Sequence, residues 1–202
     1  MSLFKKIFDH IRSDSNAQEN ERSKYMPEIE IPIDEKFIYN FNKNGGKFLY
    51  CENYDEILEN YNNILQENNW YDTNVYVTSK QLQKKFSKFN VNYSNNIKQE
   101  NTSCFLTTCE NLIANDGSIL ISSNQIKEKK LNELPCNFIV FATTSQMVNQ
   151  IGEGLRKIKN QNSNKIPTNI TTIKCFNLEK EKDFMSYGSS SKNLYLLLLE
   201  DL

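Results

Sequence analysis

The chain has 202 residues and a formal net charge of −1, which suits one domain of medium size and is too neutral for a general nucleic-acid binder. Hydrophobic residues make up 38%, enough for a packed core, and no apolar run approaches the roughly 18 residues that a membrane helix needs. The five cysteines, Cys51, Cys104, Cys109, Cys136 and Cys175, form no CxxC pair, so their spacing supports neither a disulfide framework nor a zinc or iron–sulfur site and fits a reducing, cytoplasmic compartment.

Residues 1–12, MSLFKKIFDHIR, put Leu3, Phe4, Ile7, Phe8 and Ile11 on one helical face and Lys5, Lys6, Asp9 and Arg12 on the other. Such an amphipathic helix packs on its own domain or docks on a partner or a membrane surface. His10 is the only histidine, and beside that face it offers little to catalysis. Residues 13–33 are mostly polar and read as a flexible linker, which leaves an α/β domain at 34–202. The 29 asparagines share AT-rich codons with the abundant Lys, Ile, Phe and Tyr, so Asn-rich surface is not read as a site.

From Asp34 helices and strands alternate. Asp34 can cap a helix with Phe37, Ile38 and Phe41 on its apolar face, ended by Gly45-Gly46. Residues 47–51 read as a strand. Asn53 and Glu56 have capping-box spacing ahead of Ile57, Leu58, Tyr61, Ile64 and Leu65. Strands follow at 75–77, 103–107 and 118–122, with a short helix around Leu82 and Phe86. The continuous apolar run 138–142 predicts a strand buried on both faces. Residues 143–160 predict one long helix with Met147, Val148, Ile151, Leu155 and Ile158 on one side, weakened by Gly152 and Gly154 by roughly 1 kcal/mol each. Two last strands lie near 170–176 and 194–199. The alternation implies a mainly parallel sheet covered on both faces.

No G-x-G-x-x-G follows a strand, and P-loop and G-x-S-x-G patterns are absent. Three segments could hold a ligand. In the first, a short apolar helical turn after Cys109 leads to Asn115-Asp116-Gly117-Ser118 and back into a strand. Glu110 and Asp116 there are candidate catalytic carboxylates, in a βα-type loop of the kind that binds ligands in open α/β sheets. An ordinary Asp-Gly turn uses the same residues. In the second, Thr143, Thr144 and Ser145 sit before the long helix, where free N–H groups attract phosphate or carboxylate or a hydroxyl simply caps the helix.

The third segment holds Gly188, Ser189, Ser190 and Lys192, a loop able to cradle an anion or to act only as a turn. Ser189-x-x-Lys192 matches the S-x-x-K of Ser–Lys hydrolases, without the S-D-N and K-T-G partners. Cys104 and Cys109 lack a neighbouring cation that would lower a thiol pKa. The bend at 115–118 and the stretch at 188–191 are expected to open onto one pocket at one rim of the sheet.

Asn111–Ser118, Leu134-Pro135, the strand at 137–142, the helix after it and the run Lys192–Asp201 together resemble the LUD domain, the family of the lactate-utilisation C subunit. The resemblance implies a three-layer α/β/α sandwich similar to the ribose-phosphate isomerase, glucosamine-phosphate deaminase and CoA-transferase group. It implies an accessory subunit that works with iron–sulfur partner proteins in oxidising L-lactate to pyruvate. No cofactor would be bound by this chain, and the clusters would belong to the partners. The family's Ile-Ala-x-Thr-Gly-Thr is matched by Ile113–Ser118, with Asp116 in place of the first Thr. Its Gly-Pro-Ser and His-Gly-Pro are not kept at 174–176 and 188–191. Two other readings therefore stand beside it. One is a non-catalytic binding or scaffold protein docking through residues 1–12. The other is a stand-alone transferase-like enzyme using Glu110 or Asp116 on a phosphorylated or CoA-linked substrate.

Overall fold

The computed structural model describes residues 31–71, 74–89, 91–93, 102–162, 165–174, 176 and 192–201. The helix expected at 1–12, the linker up to residue 30 and the loop 188–191 lie outside the described residues. Helix α1 (Ile33–Lys43) buries Phe37, Ile38 and Phe41, the positions its apolar spacing picks out. It opens two residues earlier than expected, capped at Pro32, so Asp34 sits in the first turn rather than at the cap, where its charge still suits the helix dipole. Gly45 takes a φ of 88° and turns the chain into β1 (Lys47–Cys51).

Helix α2 (Tyr54–Glu67) is capped by the Asn53 side chain, which accepts from the Glu56 N–H, while the Glu56 carboxylate reaches back to the Glu52 N–H. Strand β2 (Asn74–Val77), helix α3 (Lys80–Lys85), strand β3 (Val91–Tyr93) and strand β4 (Thr102–Thr108) follow. With β7 (Asn137–Thr143) and β10 (Asn193–Leu199) they form a six-stranded sheet in the order β1-β10-β7-β4-β2-β3, every neighbour parallel. β7 and β10 each bury five consecutive residues, the continuous apolar pattern of strands covered on both faces.

A second sheet departs from the expectation. The segment after Cys109 does not coil: β5 (Asn111–Ile113) pairs antiparallel with β6 (Ser118–Ile121). All three residues of β5 are buried, because the hairpin is covered on both sides, and a short run buried all round carries no period that separates strand from helix. Ser122 caps the short helix α4 (Ser123–Ile126). The long helix expected over 143–160 is also divided. Thr144–Gln146 forms a 3₁₀ turn, β8 (Met147–Val148) pairs parallel with β5, and α5 (Ile151–Gln161) begins only after that. β9 (Thr171–Ile173) completes the order β8-β5-β6-β9.

The main sheet is thus sandwiched. On one face α2 and α3 pack Ile57, Tyr61, Leu82 and Phe86 onto Val75, Leu106, Ile139 and Leu197. On the other, Phe37 and Phe41 of α1 and Leu112 and Ile119 of the small sheet cover Phe105, Val140 and Leu196. The small sheet fills half of that layer, and α5 lies on it through Ile158 against Ile113, Leu120 and Val148. No helix among the described residues is long and apolar enough to cross a membrane.

One core hydroxyl is unsatisfied among the described residues. Tyr61 is fully buried among Phe86 and Phe89, and its Oη has no hydrogen-bond partner among the described residues. Tyr61→Phe removes that desolvated group without opening a cavity. It is expected to raise stability by about 1 kcal/mol, measured by urea unfolding. A loss of stability would show that the hydroxyl has a partner.

Candidate functional site

The structure places the described candidate residues at opposite ends of the β5–β6 hairpin, with Lys192 apart from both at the entry to β7. Asn115, Asp116, Gly117 and Ser118 form its tip, and the tip rests on the C-terminal half of α1. The Asn40 amide donates to the carbonyls of Ala114 (2.8 Å) and Asn115 (3.2 Å), and the Asn44 amide donates to that of Asp116 (2.6 Å). Asp116 Oδ1 accepts from both the N–H (3.1 Å) and the hydroxyl (2.7 Å) of Ser118, an Asx turn built into the hairpin. Gly117 takes a φ of 66° against the α1 backbone. Two cations flank the tip. The Lys36 amine donates to Asn115 Oδ1, and Lys174 lies 3.6 Å from Asp116 Oδ2. The segment is therefore a hairpin turn pinned to a helix, not the βα-type loop read from the sequence.

Glu110, Thr143 and Thr144 lie elsewhere, along the carboxyl ends of the main-sheet strands. Glu110 follows β4, and Oε1 of its carboxylate accepts from the Ser122 hydroxyl and from the Asn124 amide (2.9 Å). Gln146 ties neighbouring strand ends together: its amide donates to the Cys109 carbonyl (2.7 Å), and its oxygen accepts from the Thr143 N–H (2.9 Å). Thr144 Oγ1 (2.8 Å), the Ser145 N–H (2.9 Å) and Ser145 Oγ (2.6 Å) converge on the carboxylate of Asp201, just beyond β10. The anion drawn to these donors in the described structure is the chain's own. This rim also carries Glu110 and Glu200, and the Lys157 amine reaches it through the Ser145 carbonyl (3.5 Å). Glu110 and Asp116 are separated by the whole of β5 and do not form a carboxylate pair.

Partial burial pushes the Asp201 carboxyl upward, but hydrogen bonds from Ser145, Thr144 and Thr143 outweigh it and hold the group at about 2, against an ordinary 3.8. A carboxyl whose pKa is depressed on folding stabilises the fold above its unfolded value, and that contribution fades as pH falls through the folded one. Asp201→Asn is therefore expected to lower the melting temperature slightly above about pH 5 and to melt like the parent near pH 2. Melting curves across that range check it, and a difference that grows on acidification would refute the latch.

Lys192 is 2% exposed. Its amine donates to the carbonyls of Leu134 (3.1 Å) and Pro135 (3.1 Å) and lies over the Phe138 ring, so it clamps the turn that enters β7. Gly188, Ser189 and Ser190 lie outside the described residues, as does the pocket expected between 115–118 and 188–191. Cys104 and Cys109 are buried, and desolvation pushes both thiols well up, away from nucleophilic thiolates. Among the described residues no three His, Cys, Asp or Glu side chains gather as a metal set. Sequence reasoning missed Gln146, Ser122, Asn124, Lys36 and Lys174. Ser122 with Gln125 and Thr143 with Gln146 had a local signal, the S/T-x-x-Q spacing of a capping box.

The sequence profile of the LUD domain matches residues 35–198. This chain belongs to the LUD domain family. The match spans the hairpin, Glu110, Thr143, Thr144 and the Lys192 clamp, and ends before Glu200 and Asp201. A crystal structure of a DUF162 family protein from Deinococcus radiodurans superposes with a TM-score of 0.62 at 14% identity, over 87% of this chain and 100% of that one, which shows a shared fold. No curated protein matches this LUD-domain chain.

Proposed function

We propose that this LUD-domain chain is an accessory subunit in the oxidation of L-lactate to pyruvate, working with iron–sulfur partner proteins in the cytoplasm. The family match over residues 35–198 carries the reading. The clusters belong to the partners, and this chain binds no cofactor of its own. In support, Cys51, Cys104 and Cys109 are buried and their thiols are raised by desolvation. The chain contributes contact and ligand positioning. For a small carboxylate or phosphate the hairpin tip offers the Lys36 and Lys174 amines beside Asn115–Ser118, with Lys174 shared with the Asp116 carboxylate. The carboxyl rim presents Glu110, Glu200 and Asp201.

The test combines the purified chain with candidate iron–sulfur proteins and follows lactate-dependent reduction of an electron acceptor. The expected result is a complex that co-purifies and a rate that requires this chain. Full activity from the partners alone, with no complex, would overturn the assignment.

A further inference from the structure

We propose that the exposed flank of α5 is a docking surface for an acidic protein helix carrying aliphatic anchors. The proposal rests on the reading that this chain acts through a protein partner, and it names the face used. The observation behind it is a contrast between two glycines. At Gly154 an added Cβ would lie 3.0 Å from Leu120 Cδ2 and 3.3 Å from Asn111 Oδ1, so glycine lets α5 sit close on the small sheet. At Gly152, nothing among the described residues lies within 4 Å of an added Cβ. Glycine weakens a helix relative to alanine, and at 152 it gains no contact among the described residues in return. Around it on the same side of the helix stand Ile151 and Leu155, one turn apart, 47% and 41% exposed. Sequence periodicity places both in the core, but the small sheet covers only Gly154 and Ile158. Arg156 and Lys159 border the strip and are exposed. The strip therefore has two aliphatic anchors, a notch that admits close backbone approach and a cationic edge.

Charge selects the occupant. Residues 151–166 carry Arg156, Lys157, Lys159 and Lys165 against Glu153 alone, in a chain of net charge −1, and the Glu153 carboxylate is turned back to the Asn149 N–H (3.1 Å). The complementary surface is acidic. Ile151 and Leu155 include no aromatic ring and are too small an apolar face to anchor in acyl chains. They suit a helix presenting apolar residues at i and i+4. The basic segment 1–12, with Lys5, Lys6 and Arg12, has the wrong sign to cover them.

The probe is a helical peptide of about 20 residues with Leu at i, i+3 and i+4 and Glu elsewhere. A charge-reversed Lys version and phosphatidylglycerol vesicles complete the set, and binding to the full chain is read by fluorescence anisotropy. The Glu peptide is expected to bind and to weaken with salt. Gly152→Phe and the double variant Arg156→Glu with Lys159→Glu are each expected to lose about tenfold or more in affinity, while the Lys peptide does not bind. Gly152→Ala is expected to raise the melting temperature, which separates the glycine's role from folding. Failure of the Glu peptide to bind, equal binding by the variants, vesicle binding through the same residues, or a lower melting temperature for Gly152→Ala would overturn the proposal. Lactate oxidation is read separately: its absence with peptide binding intact removes the functional reading and leaves the face in place.

Discussion

Deleting residues 193–202 is expected to abolish cooperative folding. The deletion removes β10, which lies between β1 and β7 in the main sheet, and leaves two facing strand edges without partners. Leu194, Leu196, Leu197 and Leu198 are fully buried, and Tyr195 is 3% exposed. At about 1.5–3 kcal/mol for each buried side chain, their loss comes to about 8–15 kcal/mol, as large as the whole stability of an ordinary domain. The Tyr195 hydroxyl also joins the Lys47 amine (2.7 Å) and the Asn68 amide (3.0 Å). Circular dichroism on heating should show no cooperative transition. Deleting only residues 200–202 cuts the Asp201 latch but keeps the strand, and should leave a sharp transition at a slightly lower temperature. A sharp transition in the longer deletion, close to that of the intact chain, would mean that β10 is dispensable.

The same physics decides which elements could be read from the chain. β7 and β10 were legible because a strand covered on both faces has to be apolar at every position, and 138–142 and 194–199 are. α1 and α2 were legible because each buries one stripe, and the Asn53–Glu56 cap marks where α2 starts. β3 was missed: it has three residues at the sheet edge, and only Val91 is buried. β8 was absorbed into a helix because Met147 and Val148 continue the 3.6-residue spacing of Ile151, Leu155 and Ile158. In the second sheet β6 and β9 match strands expected at 118–122 and 170–176, whereas β5 and β8, of three and two residues, are too short for any period to declare itself.

At the candidate site, the chemistry of individual residues was legible and their partners were not. Thr143–Ser145 reads in the sequence either as a set of donors for an anion or as a helix cap, and the structure turns Thr144 and Ser145 onto a carboxylate of the same chain. Asp201, which takes the Ser145 donors, is 56 residues away, and no local pattern links the two. Lys192 and Leu134-Pro135 entered the family resemblance as separate fragments. The structure makes them one contact across 57 and 58 residues. Asp116-Gly117 gave the turn but not the helix behind it, since Asn40 and Asn44 lie more than 70 residues earlier.

That helix sets the consequence of altering the tip. Gly117→Ala is expected to cost about 2–5 kcal/mol, against about 0.5–1.5 kcal/mol for Asp116→Ala. A Cβ on residue 117 would lie 2.3 Å from the Phe41 nitrogen and 2.4 Å from the Asn40 carbonyl carbon. Both are backbone atoms of α1, which Phe37 and Phe41 hold in the core, so no side chain can rotate away. The φ of 66° adds about 1–2 kcal/mol for any residue with a Cβ, and the enforced shift of a packed helix adds about 1–3 kcal/mol. Asp116 loses only local hydrogen bonds and a pair with Lys174 whose side chains are 40% and 56% exposed, where solvent screens most of the attraction. Urea unfolding of the two variants orders them. A larger loss for Asp116→Ala would shift the importance of the tip from packing to its charge. Unchanged stability in Gly117→Ala would mean that the hairpin does not rest on α1, and with that the placement of Lys36 and Lys174 beside it would fail.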